Sequence, residues 1–365
     1  MRFFFKLLTA LLISNGATAK EYNHGYIGKA QFDISQKEFE LFDEKNRCRH
    51  NFNDLHFHPK NFIMTGESLE KIYDESEKNC VRKILLNSLP LLEHWNEANG
   101  TRPTYYTDKN SKFYWNTISD IPTFEEFRKL DAQKKSKFFF LINGFLHFDL
   151  GAIDAVKSTI ALYSDLPIVG FGEIFGDHDI MSDQMNPPSK INSAALDPIY
   201  HLAGERKWFV LLHNNLSHRS FKGPTPADNL KEIEAVLHRH RKTNFILAHG
   251  GVMRNIVIAD LPATLDSMLR KNQNLYIDLS FVVLENYIMA EGLPSKDWVA
   301  LLEKYPTRFL FGSDDLGSYR DFFDVKKYLA FVAALTPQTA EKFTHKNFET
   351  LVNRALLANK NYNKK

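Results

Sequence analysis

Cysteine is nearly absent from this 365-residue chain, with Cys48 and Cys80 the only two. That scarcity excludes a cysteine-built zinc module and a disulfide-dense scaffold. Charge of one sign is also missing: 46 Lys and Arg balance 44 Asp and Glu, leaving a formal net charge of +2. A chain so balanced offers no dedicated surface for nucleic acid or another polyanion. Its strongest basic run, His238-Arg239-His240-Arg241-Lys242, falls at the end of a predicted helix, where cations complement the helix dipole. No apolar run, the N-terminal one included, reaches the length needed to span a bilayer, and no low-complexity tract interrupts the chain. No glycine-rich phosphate loop follows the first predicted strand, which argues against a dinucleotide-binding open sheet.

The N-terminus carries a distinct signal. Met1-Arg-Phe-Phe-Phe-Lys6 is basic, Leu7 to Ile13 is uncharged, and Ala17-Thr18-Ala19 has the small-x-small spacing of a cleavage site. Residues 1–19 are therefore expected to be a signal peptide, with the mature protein starting at Lys20 and exported to the periplasm or secreted. Residues 20–49 form a lead-in. In an exported protein Cys48 and Cys80 can pair, and a bridge of that span contributes about 3–4 kcal/mol in the chain-entropy model; two free thiols remain the alternative.

From residue 138 onward one pattern repeats: a compact apolar run, a polar residue at its end, a loop, then an amphipathic helix. The runs are 138–143, 168–173, 209–213, 245–249, 275–278 and 309–314. Continuous apolar runs separated by helices read as buried parallel strands. Two of the intervening helices are expected over 228–241, with Ile233, Val236 and Leu237 on one face, and over 261–271, with Pro262 in its first turn. The ends Glu173, His213, His249, Asp278 and Asp314 follow one another at intervals of 40, 36, 29 and 36 residues. Each interval suits one βα unit. Counting back, 82–87 is the second strand and 52–58 the first. The expected fold is an α/β (β/α)8 TIM barrel over residues 50–358, with an insertion after strand 2 at about 94–120 and a tail over 359–365.

In such a barrel the strand ends converge on one mouth. The residues found there are His56 and His58, Glu173, His213, His249 and Asp314. His56 and His58 sit two apart on a strand that Pro59 terminates, so both imidazoles project to one side. Singly, each residue has an ordinary explanation, such as a helix cap or a satisfied core histidine. Six together form a set of imidazole and carboxylate ligands for a divalent metal, zinc being the expected ion.

These residues lie in motifs that resemble the metal-dependent amidohydrolase superfamily, in its amidohydrolase-related group. They are Asp54-Leu-His-Phe-His58, Gly172-Glu173-Ile174, Leu212-His213, Leu247-Ala-His-Gly-Gly251 and Phe311-Gly-Ser-Asp314. The likeness continues through Thr336-Pro-Gln-Thr-Ala-Glu-Lys342 and Asn347-Phe-Glu-Thr-Leu-Val352, and so spans about residues 50 to 355. It implies that His56, His58 and Asp314 hold the more buried metal. His213 and His249 take a second ion, or else His213 is a ligand while His249 faces the substrate. Glu173 stands where relatives carry a bridging carboxylate, so a two-metal site is expected; its simpler role is to orient His213. A bound divalent cation acidifies water, Asp314 serves as general base and then acid, and the metal or His249 polarises the attacked carbonyl.

The expected function is hydrolysis of an amide, lactone or other ester bond in a small molecule. The same barrel and metal also suit decarboxylation or hydration of a small carboxylic acid, and a third reading is a non-catalytic metal- or ligand-binding barrel. Arg254 is a candidate for an anionic substrate group. Asn143, His147, Asp177, His178, Asn214 and Asn215 are further candidates for the mouth, and the loop 181–192, with Pro187 and Pro188, for a cover. Oligomeric state is not legible.

Overall fold

Eight parallel β-segments arranged in a ring organise the molecule. In the computed structural model the described residues are 48, 50–93, 112–178, 181–217, 225–253, 256–280, 283–290, 293–317 and 325–362. The expected signal peptide, most of the lead-in, most of the insertion and Arg254 lie outside them. The ring runs β1 (Phe52–His58), β2 (Val81–Asn87), β3 (Phe138–Ile142), β4 (Ile168–Phe175), β5 (Phe209–His213), β6 (Asn244–Leu247) and β7 (Leu275–Asp278), each parallel to the next. β8 closes it in two pieces: Phe309–Leu310 pairs with β7, and Asp315–Leu316 pairs with β1. This is a (β/α)8 barrel.

The local sequence explains the ring. Every residue of β1, β3, β4 and β5 is buried, because one face fills the barrel and the other meets the surrounding helices. Those helices present narrow apolar stripes, such as Ile233, Val236 and Leu237 on Leu230–Arg239, and Leu265, Met268 and Leu269 on Leu261–Lys271. Asp260 caps the second of these by accepting from the Ala263 N–H, and Pro262 occupies its first turn.

Several boundaries differ from expectation. The helix expected over 228–241 is shorter, and its basic end is tied down by Arg239 and His240 pairing with Asp197. β6 stops at Leu247, so His249 lies beyond the strand in a left-handed turn. The run 309–314 is not one strand: the backbone breaks before Asp314, itself left-handed at φ 57°. β4 continues past Glu173 to Phe175, and the final helix runs to Tyr362, into the expected tail. Cys48 and Cys80 are joined by a disulfide, at the end of the barrel where β1 and β2 begin.

A small second core sits over the other end. Phe62, Leu89, Leu91, Phe113, Phe175, Met181, Met185 and Leu316 pack together from the segments after β1, β2 and β4 and from the last residues of β4 and β8. Around them Leu91–Glu93, Phe113–Trp115 and Met185–Asn186 form a three-stranded sheet. The loop 181–192 is thus strapped to the insertion, with the Trp115 indole N–H also donating to the Pro187 carbonyl.

Candidate metal centre

β1 delivers two imidazoles side by side. His56 and His58 are buried, and their Nε2 atoms lie 3.2 Å apart. The His58 Nδ1 is within hydrogen-bond distance of the Asn87 carbonyl at 3.0 Å, which turns its Nε2 inward. Asp314 Oδ1 completes this corner, 3.1 Å from His58 Nε2 and 3.3 Å from His56 Nε2. β4 supplies Glu173, whose two oxygens face different neighbours. Oε2 lies 3.4 Å from His56 Nε2 and 3.5 Å from His58 Nε2, whereas Oε1 lies 2.8 Å from His213 Nδ1 and 3.6 Å from His249 Nε2.

Left-handed backbone brings in two of these groups. His249 (φ 53°) begins a left-handed run that continues through Gly250 and Gly251, where glycine adopts such angles at little cost. Asp314 is held in the same region by cross-braces to β1. The Asp314 N–H donates to the His56 carbonyl at 2.7 Å, and the Ser313 hydroxyl and N–H donate to the Asp54 carboxylate at 2.6 and 3.0 Å. Burial raises the Asp54 pKa to about 7, against the opposing pull of those donors.

The charges are strongly coupled. Burial disfavours the charged form of His56, but Glu173 and Asp314 overcome it and raise its pKa well above the ordinary value. His58 is raised by the same carboxylates against burial. Burial also works against ionisation of Glu173, yet His56 and His213 hold it well below the carboxylate range. Asp314 is lowered to about 2 by His56 and His249, despite its burial. Burial, reinforced by His178, depresses His213 to about 3. That imidazole is therefore neutral, and its Nε2 is buried with no hydrogen-bond partner.

Ligand atoms in three groups lie within 4.8 Å of one another: His56, His58 and Glu173; His56, His249 and Asp314; and Glu173, His213 and His249. The donors are imidazole nitrogens and carboxylate oxygens, and the orphaned His213 Nε2 is a donor in want of a partner. The set fits a divalent metal.

The comparisons with known proteins agree with this picture. Residues 178–353 match the family model described as amidohydrolase. That stretch, just under half of the chain, is similar to the amidohydrolase family. Among solved structures, an amidohydrolase from Burkholderia multivorans crystallised with bound zinc is 11% identical, with a TM-score of 0.52 over 83% of this chain and 99% of that one. An uncharacterised TIM-barrel protein from Bordetella bronchiseptica is 14% identical, with a TM-score of 0.51 over 79% and 83%. A structure titled amidohydrolase II is 14% identical, with a TM-score of 0.50 over 83% and 100%. No curated protein matches the sequence.

The six residues expected at the strand ends all meet at one mouth of the barrel. The secondary candidates divide. The His178 ring stacks on His213, centroids 4.1 Å apart. Asn143 donates to the Glu173 and Ser88 carbonyls and contacts His147 at 3.0 Å, so it braces β4 from below the mouth. Asp177 and Asn214 tie loops together: the Asn214 side-chain oxygen accepts from the Asp177 N–H, and Asn229 donates to the Asp177 carboxylate. Asn215 is buried with neither side-chain polar atom hydrogen-bonded. Asp278 and Ser280 are not among the site residues expected from the sequence, though Asp278 ends one of the apolar runs. His56 Nδ1 lies 2.8 Å from Asp278 Oδ2, and His249 Nδ1 lies 2.8 Å from Ser280 Oγ.

Proposed function

We propose that this protein is a member of the amidohydrolase superfamily and an exported, metal-dependent hydrolase that cleaves an amide, lactone or other ester bond of a small molecule. The observation that carries the reading is the position of Asp314. It is the one member of the cluster with a partly exposed side chain, 16% accessible, while its oxygens face His56 and His58 on one side and His249 on the other. His56 and His249 keep this carboxylate ionised at neutral pH, so that its oxygens can accept a hydrogen bond from water. It sits where the buried cluster opens outward, within reach of an entering water.

His56, His58 and Asp314 would hold one ion, and His213 and His249 a second, with Glu173 placed between the two sets. Zinc suits the donors, and the Burkholderia relative was crystallised with zinc. A divalent cation held there supplies Lewis acidity to water and to the scissile carbonyl. Asp314 takes the proton of the attacking water and returns it to the leaving group, and the His249 imidazole orients the substrate from the opposite side. Export is supported by the N-terminal sequence pattern and by the Cys48–Cys80 bridge, a cross-link that persists outside a reducing cytosol.

The test is a turnover screen of metal-replete protein on lactones, esters and amides, alongside small carboxylic acids. Hydrolysis that disappears in Asp314→Asn is expected. Carbon dioxide release from an acid, with no hydrolysis anywhere in the panel, would replace this reading with a decarboxylase. N-terminal sequencing of the exported protein should begin at Lys20.

A further inference from the structure

We infer that one buried carboxylate, Asp278 on β7, is the positioning residue for two separate histidines of the metal centre, acting directly on His56 and through the Ser280 hydroxyl on His249. The inference rests on the metal-centre reading above and adds a device that sets which ring nitrogens are offered to it.

Asp278 is fully buried, and a single oxygen does all its bonding. Oδ2 lies 2.8 Å from His56 Nδ1 and 2.5 Å from Ser280 Oγ. The other oxygen, Oδ1, is buried with no hydrogen-bond partner. The β8 backbone lies against it, so that a Cβ on Gly312 would come within 2.5 Å of Oδ1 and 2.9 Å of the His56 Cβ. All the compensation for burying this carboxylate is therefore concentrated on Oδ2.

The direction of each bond follows. A carboxylate only accepts, so His56 Nδ1 must carry a hydrogen and His56 Nε2 is left to face the cluster. The Ser280 hydroxyl has one hydrogen, and the short contact to Asp278 uses it. Its oxygen can then only accept from His249, 2.8 Å away, so His249 Nδ1 also carries a hydrogen. His249 Nε2 is thereby turned to Glu173 and Asp314, 3.6 and 3.7 Å distant. One anion on β7 thus prescribes the tautomer of imidazoles on β1 and after β6. Without it the serine hydroxyl could rotate and donate to His249 Nδ1, which would place the hydrogen on Nε2 and close that nitrogen to a ligand.

The experiment combines two readouts on wild type, Ser280→Ala, Ser280→Thr, Asp278→Ala and His56→Ala. The first is zinc affinity by competition with a chelator. The second is the pair of downfield, slowly exchanging imidazole Nδ1–H proton resonances, recorded in both metal-free and zinc-treated protein. Asp278→Ala should lose both resonances and bind zinc about 10–100-fold more weakly. Ser280→Ala should lose only the His249 resonance, with about a tenfold loss, and Ser280→Thr should restore both. Adding Ser280→Ala to Asp278→Ala should weaken binding no further, since the serine acts through the carboxylate. Wild-type affinity with both resonances intact in Ser280→Ala overturns the relay, even if Asp278→Ala fails to fold. If wild-type protein and His56→Ala alike take up no zinc, the metal reading falls on its own, and the metal-free resonances still decide whether the two tautomers are set by Asp278.

Discussion

Glu173 and His213 meet through a 2.8 Å contact between Oε1 and Nδ1, while the second oxygen of the same carboxylate lies 3.4 Å from His56 Nε2. One side chain therefore touches both halves of the cluster. Glu173→Ala is expected to reduce bound metal from two equivalents toward one, by elemental analysis of purified protein, and to leave the barrel folded by circular dichroism. Two equivalents retained in the variant would refute a bridging role.

Metal uptake should weaken as pH falls. His56 and His58 have raised pKa values in the metal-free protein, and each must surrender a proton before its Nε2 can bind an ion. The stability of the metal-free protein runs the other way. Raised histidine pKa values contribute stability that is complete below the ordinary 6.5 and is lost as pH rises through the folded values. Depressed Glu173 and Asp314 contribute above 4.5 and 3.8, losing it as pH falls through their folded values. Chelation should therefore lower the melting temperature more at about pH 8 than at about pH 6, as read by thermal unfolding with and without chelator. An equal drop at both pH values would remove these histidines from metal binding.

Gly312→Ala should be costly although the change is one methyl group. The added carbon would meet Asp278 Oδ1 at 2.5 Å and the His56 side chain at 2.9 Å, and neither is the free end of a flexible chain. Overpacking of this kind costs about 1–3 kcal/mol, measurable by denaturant titration, and metal affinity should fall with it.

Replacing both Cys48 and Cys80 by alanine should lower stability by about 3–4 kcal/mol while leaving turnover intact. The bridge spans a sequence separation of 32 and lies at the barrel end opposite the metal centre. A drop in turnover at a temperature where the variant remains folded would contradict that separation.

Asp120 is buried and accepts from the Asn143 and Gly144 N–H groups, yet burial raises its pKa to about 6. The folded chain thus binds this proton more tightly than the unfolded one between 3.8 and about 6. Stability from this group is complete below 3.8 and declines as pH rises through that window, on the order of 2–3 kcal/mol in all. The difference in unfolding free energy between wild type and Asp120→Asn should follow this decline from about pH 4 to about pH 6.5. A flat difference would show that Asp120 does not titrate there.

Much of the site was legible because chemistry and periodicity coincide. β1 runs from Phe52 to His58 as expected, since an apolar segment closed by Pro59 leaves few alternatives. Glu173 and His213 were found because polar residues in otherwise apolar runs are conspicuous. The sequence pattern marks His249 and Asp314 but puts them on strands, whereas both have left-handed backbone beyond the strand ends. The Gly250-Gly251 pair hints at the first; the second depends on Asp54 and Ser313 bracing across 259 residues, which no local window contains. Asp278 reads from sequence as the end of a run. Only its contact with His56, 222 residues earlier, reveals what it does, and Ser280 carries no sequence signal at all.

His58 and Asp314 stand 3.1 Å apart yet 256 residues apart along the chain. No nascent chain can possess this corner of the metal centre until its last barrel segment has been synthesised and seated beside its first. If the protein crosses a membrane unfolded, a metal captured early in its passage would find only isolated ligands. The ring closure at β8 would therefore double as a checkpoint: an ion could be held in this corner only by a barrel closed from its first segment to its last.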